Sequence, residues 1–156
     1  MTGKTSSEYA TLPVGSVVKW GMPGDNAGAL KPLKSCTGVG AMGLQGGFVD
    51  CTTLLDTQKQ YISDLPDGPD KTLTFVDDPE DQNLTDFLNA AERREVVQFY
   101  VELPNGRTST SVIALAGWQM AEIKAPASAV IQLEVKGKQN SITWGSKATA
   151  PVAPKT

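Results

Sequence analysis

The sequence has no histidine among its 156 residues, only two cysteines, and aromatic residues make up just 6% of it. Without histidine, a histidine-based catalytic triad, an imidazole metal site and a histidine general base are excluded. No hydrophobic run approaches the length of a membrane-spanning helix, and the first ten residues are polar and lack the apolar centre of a signal peptide. We therefore expect no membrane anchor and a cytosolic chain whose thiols stay reduced.

The cysteines and tryptophans are isolated from one another along the chain. Cys36 and Cys51 form no metal-binding motif, so we expect both to be buried as small apolar residues. Alternatively, the two could face each other across neighbouring strands. Trp20, Trp118 and Trp144 are far apart, and each is expected in the core or at an interface rather than in a ligand platform.

Motifs for nucleotide or metal chemistry are also missing. Residues 38–40 begin like a dinucleotide-binding loop, but no helix follows. Asp64, Asp67 and Asp70 are spaced by three rather than at the alternate positions of a calcium loop, and no glutamate closes the set. The acids at 77–81 precede a helical segment, where the helix dipole accounts for them. We therefore assign no catalytic residue, no metal ligand and no cofactor, and expect the chain not to be an enzyme.

Charge is distributed unevenly around a net value of −3. Residues 1–49 carry +2, residues 50–102 carry −9 and residues 103–156 carry +4. A net negative charge is the wrong sign for a protein that grips nucleic acid by its phosphates. The acidic middle is either a solvated face or one half of a self-complementary surface for head-to-tail assembly.

The hydrophobic pattern predicts one mainly β domain. No strand–helix–strand alternation occurs, so we expect an antiparallel β-sandwich or barrel of seven or eight strands with one α-helix. The domain spans residues 14–145, between an N-terminal arm at 1–13 and a tail at 146–156 that either fray or become ordered on neighbouring molecules. The predicted strands are Val14–Trp20, Leu33–Val39, Phe48–Leu55, Thr72–Val76, Glu95–Leu103, Arg107–Met120, Ser128–Lys136 and Ser141–Trp144, the last being either a strand or a docking segment.

The helix, one hairpin and one long loop have clear local signals. Asp78 before Pro79 predicts a helix N-cap with proline at the first helical position. Pro-Asn-Gly at 104–106 predicts a tight turn between two strands, and Gly117 allows a bend in the second of them. The segment Asp56–Lys71 reads as a long loop, and such loops are usually functional or disordered. The apolar stripe of the helix consists of Leu84, Phe87, Leu88 and Ala91.

A set of short motifs occurs in a fixed order. Residues 48–62 read FVDCTTLLDTQKQYI, followed by Asp-Gly at 67–68, the helix stripe, the Pro-Asn-Gly hairpin, Gly-Trp at 117–118 and Lys-Gly-Lys at 136–138. This order resembles that of the major tail tube proteins of long-tailed, non-contractile bacteriophages. In those proteins the segment that corresponds to residues 48–62 carries the patterns D-x-T-T-L-D and K-x-Y/F-I. The resemblance covers roughly residues 14–140. The glycine-rich tip at 40–47 and the absence of a C-terminal immunoglobulin-like domain depart from it.

The resemblance implies a tube fold that contractile-tail and type VI secretion tubes share. Six copies would form a hexameric ring whose inner strands join into one barrel, and rings would stack into a tail tube. Double-stranded DNA would pass through its lumen without specific binding. The implied partners are further copies, the tape measure protein and the tail tip and terminator proteins. The implied location is the virion tail, after assembly in the host cytoplasm.

Two sets of residues are candidates for roles in such a tube. An acidic loop would contact the next ring, and a neutral or acidic wall would let DNA slide, because phosphates bind lysine and arginine. Which sheet face lines the lumen stays open at this point. The inter-ring candidates are Asp56, Lys59, Tyr61, Asp64, Asp67, Asp70 and Lys71. The lumen candidates are Asp50, Thr52, Gln132 and Glu134.

Two other classes of function compete with a phage tail tube. A secretion-system tube protein of the same fold is the nearest variant, because the fold alone does not fix the machine. A monomeric β module that recognises sugar or protein through Trp20 or Trp144 is the second class.

Overall fold

The computed structural model describes residues 5–10, 12, 14–123, 125 and 130–146. Within them the chain forms two α-helices, a short 3-10 turn at Ala27–Ala29 and nine β-strands. The helices are α1 (Ser6–Tyr9) and α2 (Gln82–Glu92). The strands are β1 (Val17–Gly21), β2 (Lys31–Pro32), β3 (Cys36–Gly38), β4 (Phe48–Asp50), β5 (Tyr61–Ser63), β6 (Asp70–Val76), β7 (Val96–Glu102), β8 (Arg107–Met120) and β9 (Gln132–Ser146).

Seven of these strands form one curled antiparallel sheet in the order β2-β1-β7-β8-β9-β6-β3. The strands β4 and β5 pair only with each other, as a separate two-stranded sheet. The predicted mainly β, antiparallel fold with one substantial helix is confirmed. The four-residue α1 lies within the predicted N-terminal arm at 1–13.

The core lies on one face of the curled sheet because apolar residues alternate along its long strands. Val97, Phe99 and Val101 of β7 are buried, whereas the residues between them are half-buried. The same alternation buries Leu133 and Val135 of β9. Period-two patterning of this kind places one set of side chains in the core and the other set on the opposite face.

Helix α2 covers the open side of this core. Phe87, at the centre of its apolar stripe, is fully buried and lies with ring centroids 5.4, 5.6 and 6.1 Å from those of Trp20, Phe75 and Phe99. These contacts join the helix to β1, β6 and β7. The indole N–H of Trp20 also donates to the carbonyl of Asn83 at 3.2 Å.

The helix begins three residues later than predicted. Asp81, not Asp78, is the N-cap, and its side chain accepts a hydrogen bond from the backbone N–H of Asn83 at 3.1 Å. Pro79 and Glu80 form a turn before the helix, closed by the Asp81 N–H donating to the carbonyl of Asp78 at 3.1 Å. The Asp78–Pro79 prediction was therefore wrong in position.

The C-terminal strands are longer and more continuous than predicted. Ser141–Trp144 belongs to β9, which pairs with β8 from Arg107↔Ser146 onward. The predicted bend in β8 is present as a register shift between Leu115 and Trp118, where Gly117 takes a positive φ of 107° that favours glycine.

Three other expectations need correction. Of the predicted strand at 33–39 only Cys36–Gly38 is a strand, β3, and the predicted strand at 48–55 ends at Asp50. Both cysteines are free, but only Cys36 is partly buried, whereas Cys51 is exposed. The core or interface expectation for Trp20 is met by its burial, whereas Trp144 remains about half exposed. Ser146, the first residue of the predicted tail at 146–156, ends β9, and the rest of that tail lies outside the described residues.

Candidate functional site

The most unusual feature of the surface is the segment 46–66, here called the arm. The arm contains β4, β5 and the turn between them, and every residue in it is exposed. Its strands pair through Phe48↔Ser63, Val49↔Ile62 and Asp50↔Tyr61. A two-stranded sheet of this size is marginally stable in water by itself. The long loop predicted at 56–71 is thus partly a hairpin strand.

The arm carries large apolar side chains on both of its faces. They do not enter the core, and charged residues separate them along the sequence into short groups. Apolar surface of this extent on a soluble domain marks a site of interaction. The exposed apolar side chains of the arm are Phe48, Val49, Leu54, Leu55, Tyr61, Ile62 and Leu65.

Hydrogen bonds within the arm fix the conformation of its tip. The Asp56 carboxylate accepts from both the backbone N–H of Thr53, at 2.8 Å, and its hydroxyl, at 3.1 Å. The Asp56 N–H donates to the Thr53 carbonyl at 3.1 Å, which closes the turn. Leu54 and Leu55 lie between these two residues with relative exposures of 105% and 93%. The turn therefore holds two leucines fully in solvent.

The inter-ring candidates divide between the arm and the sheet. Four of them, Asp56, Lys59, Tyr61 and Asp64, are exposed on the arm. The others follow its base, which the backbone of Asp67 closes by pairing with Gln45. The Asp67 carboxylate lies 3.6 Å from the Lys138 ammonium, and Asp70 begins β6.

Lys71 has to be removed from the inter-ring candidates. It is the second residue of β6 and is 1% exposed, on the same face as Leu73 and Phe75. Its ammonium donates to the carbonyl of Ala41 at 3.3 Å. Burial lowers the pKa of Lys71 from 10.5 to about 8. A side chain in this position cannot contact a neighbouring molecule.

The lumen candidates occupy two different sheets. Gln132 and Glu134 lie on the face of β9 opposite the buried Leu133, and the Gln119 amide donates to the Glu134 carboxylate at 3.1 Å. By contrast, Asp50 and Thr52 belong to the arm. Hydrogen bonds from the Thr52 hydroxyl and backbone N–H lower the pKa of the exposed Asp50. The structure therefore does not place the four lumen candidates on the same or neighbouring strands, because two lie on β9 and two on the arm.

An apolar cleft opens between β1, β3 and β7. Its volume is about 510 Å³. Cys36 lies in its wall, and burial raises the pKa of that thiol from 9.0 to about 11. The cleft was not foreseen, because its walls come from segments distant in sequence. Its apolar lining consists of Val14, Val18, Val39, Met42, Val101 and Leu103.

Metal binding and membrane insertion are two further roles that a surface or a helix can have. Across the described parts of the chain, no three His, Cys, Asp or Glu side chains lie close enough to hold a metal ion. Within the same residues, no helix has both the length and the apolar character needed to cross a membrane. The candidate sites of interaction are therefore the arm, the face of β9 that carries Gln132 and Glu134, and the apolar cleft.

Comparison with known proteins decides the family. The sequence model of the phage tail tube protein family matches residues 11–147, which is most of the chain. The chain belongs to the phage tail tube protein family. It is a structural component of a phage tail, and its location is the virion tail. No curated protein sequence matches this tail tube protein.

Solved structures give the same fold for this tail tube protein. It aligns with a chain of the sheath–tube complex of the extracellular contractile injection system PVC at a TM-score of 0.70 and 12% identity, covering 93% of this chain and 99% of that one. It aligns with a chain from the tail of a gene transfer agent particle at a TM-score of 0.63 and 12% identity, covering 89% of this chain and 100% of that one. With the SPP1 tail tube the TM-score is 0.62 and the identity 6%, and the alignment covers 85% of this chain and 77% of that one. At these identities the likeness establishes the fold.

Proposed function

We propose that six copies of this chain form a ring and that rings stack head to tail into a tube with a central channel for double-stranded DNA. The observation that carries the proposal is the arm, whose 21 residues at positions 46–66 are all exposed although seven of them are large and apolar. Such a segment gains burial only in an assembly. Sixfold order is supported by the gene transfer agent tail, which has C6 symmetry.

Stacking requires two different surfaces on each subunit. A contact that joins one patch to a different patch on the next copy generates a filament when the rotation between copies does not close a ring. The arm supplies one such surface, which is exposed and carries the acids Asp50, Asp56 and Asp64. We propose that the exposed inter-ring candidates act through the arm in this contact.

The proposed channel wall includes the face of β9 that carries Gln132 and Glu134. Lys136 and Lys138 lie on the same face, so the wall would have mixed charge rather than the acidic or neutral charge expected from the sequence. Lys138 is partly neutralised by Asp67 at 3.6 Å. Substituting Glu134→Lys would make the face more basic. We expect tubes to form but DNA to leave them more slowly, because added cations bind phosphates.

Electron microscopy tests the assembly directly. Concentrated protein, with or without tail-initiation proteins, should form tubes that have a central channel. Protein that stays monomeric even with initiators present would refute the proposal and favour the monomeric binding module. Tape measure, tail tip and terminator proteins are proposed as further partners, with assembly in the host cytoplasm.

A charge reversal on the arm separates stacking from ring formation. Asp64→Lys should weaken stacking of rings more than formation of single rings, because the proposed inter-ring contact is made by the arm. Glu80→Lys changes the charge equally at an exposed position before α2, so it serves as the control. Equal effects of the two substitutions, or equal loss of rings and stacks in Asp64→Lys, would contradict the role of the arm.

The alternative machine of the same fold is a secretion or injection tube. The TM-score to the PVC tube chain, 0.70, exceeds that to the SPP1 tail tube, 0.62. Neighbouring genes discriminate the two, since a tape measure gene without a sheath gene indicates a non-contractile phage tail.

A further inference from the structure

We propose that Leu54 and Leu55, at the tip of the arm, insert into the apolar cleft between β1, β3 and β7 of a second copy of this chain. The inference rests on the proposed tube and assigns the two surfaces of one contact within it. The tip supplies a projecting apolar group, and the cleft supplies an apolar cavity of about 510 Å³.

The tip is built to present its leucines. Asp56 uses its carboxylate and its backbone N–H to close the turn on Thr53 through three hydrogen bonds. Among the described residues of the subunit, nothing covers the leucines between them, which are 105% and 93% exposed. A second molecule that contacts the tip would remove them from water.

The cleft has the complementary character. Its lining is mostly aliphatic, and cavities of this volume and composition are typical of sites that bind apolar groups. Its own wall residue Val14 is 81% exposed, so the apolar surface of the cleft is open to solvent. The tip of the same subunit does not fill it, because that tip is fully exposed. A second copy is the occupant that brings a matching apolar group in equal number.

Charge around the two surfaces favours the same pairing. Asp50, Asp56 and Asp64 make the arm acidic. Two exposed cations, Lys34 and Arg107, are neighbours of wall segments in the chain or the sheet, and the half-buried Glu102 lies between two wall residues. Lys34 precedes the wall residue Cys36 by two positions, and the backbone carbonyl of Arg107 accepts from the N–H of the wall residue Leu103 at 2.9 Å. Opposite charges at the rim of an interface steer association and fix its orientation.

Site-specific cross-linking tests the contact. One variant carries Leu54→Cys and the other carries Val39→Cys, both in a background with Cys36→Ser and Cys51→Ser. The two are mixed, concentrated to assembly conditions and oxidised. The control pair replaces Leu54→Cys by Ile123→Cys, a comparably exposed apolar position outside the arm. Docking should give about tenfold more disulfide-linked dimer than the control, because it raises the effective thiol concentration to the millimolar range.

Substitution of the tip gives a second readout. Leu54→Asp with Leu55→Asp should raise the protein concentration needed for tube formation about 100-fold, because two leucines no longer become buried. Ile123→Asp should change that concentration little. The arm is exposed in the monomer, so unfolding of the free subunit by urea should be the same in all three proteins.

The outcomes separate this contact from the proposed function. Tubes with no cross-linking above the control pair overturn the docking of the tip while leaving the tube intact. Wild-type protein that forms no tubes overturns the proposed function, and cross-linking of the concentrated subunits then tests the docking of the tip separately. Normal tube formation by the protein with Leu54→Asp and Leu55→Asp also refutes the docking of the tip.

Discussion

The buried Lys71 should destabilise the folded subunit at neutral pH. Its side chain is 1% exposed, and the acceptor of its ammonium is the neutral carbonyl of Ala41, at 3.3 Å. Substituting Lys71→Met keeps the length of the side chain and removes the charge. The Ala41 carbonyl keeps a donor, since the Gln139 amide also donates to it at 3.1 Å. We therefore expect the variant to be more stable than the parent at pH 7.

The magnitude follows from the pKa of Lys71. The fall from 10.5 to about 8 corresponds to about 3 kcal/mol at 1.36 kcal/mol per unit, as an upper limit. The hydrogen bond to Ala41 retains part of the solvation of the ammonium, so we expect a gain of about 1–2 kcal/mol for Lys71→Met at pH 7. The full cost applies below pH 8, where the folded state is protonated, and it disappears as the pH approaches 10.5.

The dependence on pH provides the sharper test. As the pH rises from 7 to 9, the parent should gain up to about 1 kcal/mol from Lys71, whereas the variant gains nothing from it. Cys36 acts in the opposite direction, because the pKa of its thiol is raised from 9.0 to about 11 and the stability it contributes is lost as the pH rises through that range. Parent and variant should therefore both carry Cys36→Ala.

Urea unfolding at pH 7, 8 and 9 measures the effect. With a typical slope of about 1–3 kcal/mol per molar, the midpoint of Lys71→Met should lie roughly 0.5–1 M above that of its parent at pH 7, and the difference should shrink by pH 9. A variant less stable than the parent at pH 7 would refute the reasoning. So would a difference that stays constant from pH 7 to pH 9, since it would show that the charge is not the cause.

Three further outcomes are expected. Phe87→Ala should lower the free energy of unfolding by about 3–5 kcal/mol in urea, because it removes a fully buried ring between three others. Asp81→Ala should cost about 1 kcal/mol through loss of the N-cap, while Asp78→Ala should stay within about 0.5 kcal/mol. Hydrogen exchange should find the amides of the arm fast in the free subunit and slow in tubes, with β7 and β8 protected in both.

The parts of the fold that local chemistry determines could be predicted from the sequence. The Pro-Asn-Gly turn at 104–106 and the alternation on either side fixed the β7–β8 hairpin, and the stripe of four apolar residues fixed α2. The N-cap was misplaced because Asp78 and Asp81 both have the right chemistry. Asp81 is the N-cap because Pro79 and Glu80 form a separate turn before the helix. Residue propensities do not distinguish such a turn from the first turn of a helix.

The candidate site was harder to predict because exposure depends on layers that are distant in sequence. Residues 48–55 are rich in apolar and β-branched side chains, as in a core strand, yet every one of them is exposed. Conversely, Lys71 is an inter-ring candidate because the predicted loop runs from Asp56 to Lys71. Alternation continued backward from Phe75 and Leu73 would have put it on the buried face. The cleft joins segments from residue 14 to residue 103, and no local pattern reports such a juxtaposition.

The charges on the arm determine what kind of contact its apolar surface can make. The arm carries three carboxylates and one lysine, a net charge of −2. Two arms that met face to face would bring like charges together while burying their leucines, so a symmetric dimer through the arm is disfavoured. The same carboxylates are attracted to a cleft flanked by Lys34 and Arg107. Since the arm and the cleft are different surfaces of one chain, one subunit can place its arm on one copy and receive the arm of another. Such a contact continues into a filament wherever the rotation between copies does not close a ring, and a stacked tube requires contacts of that kind.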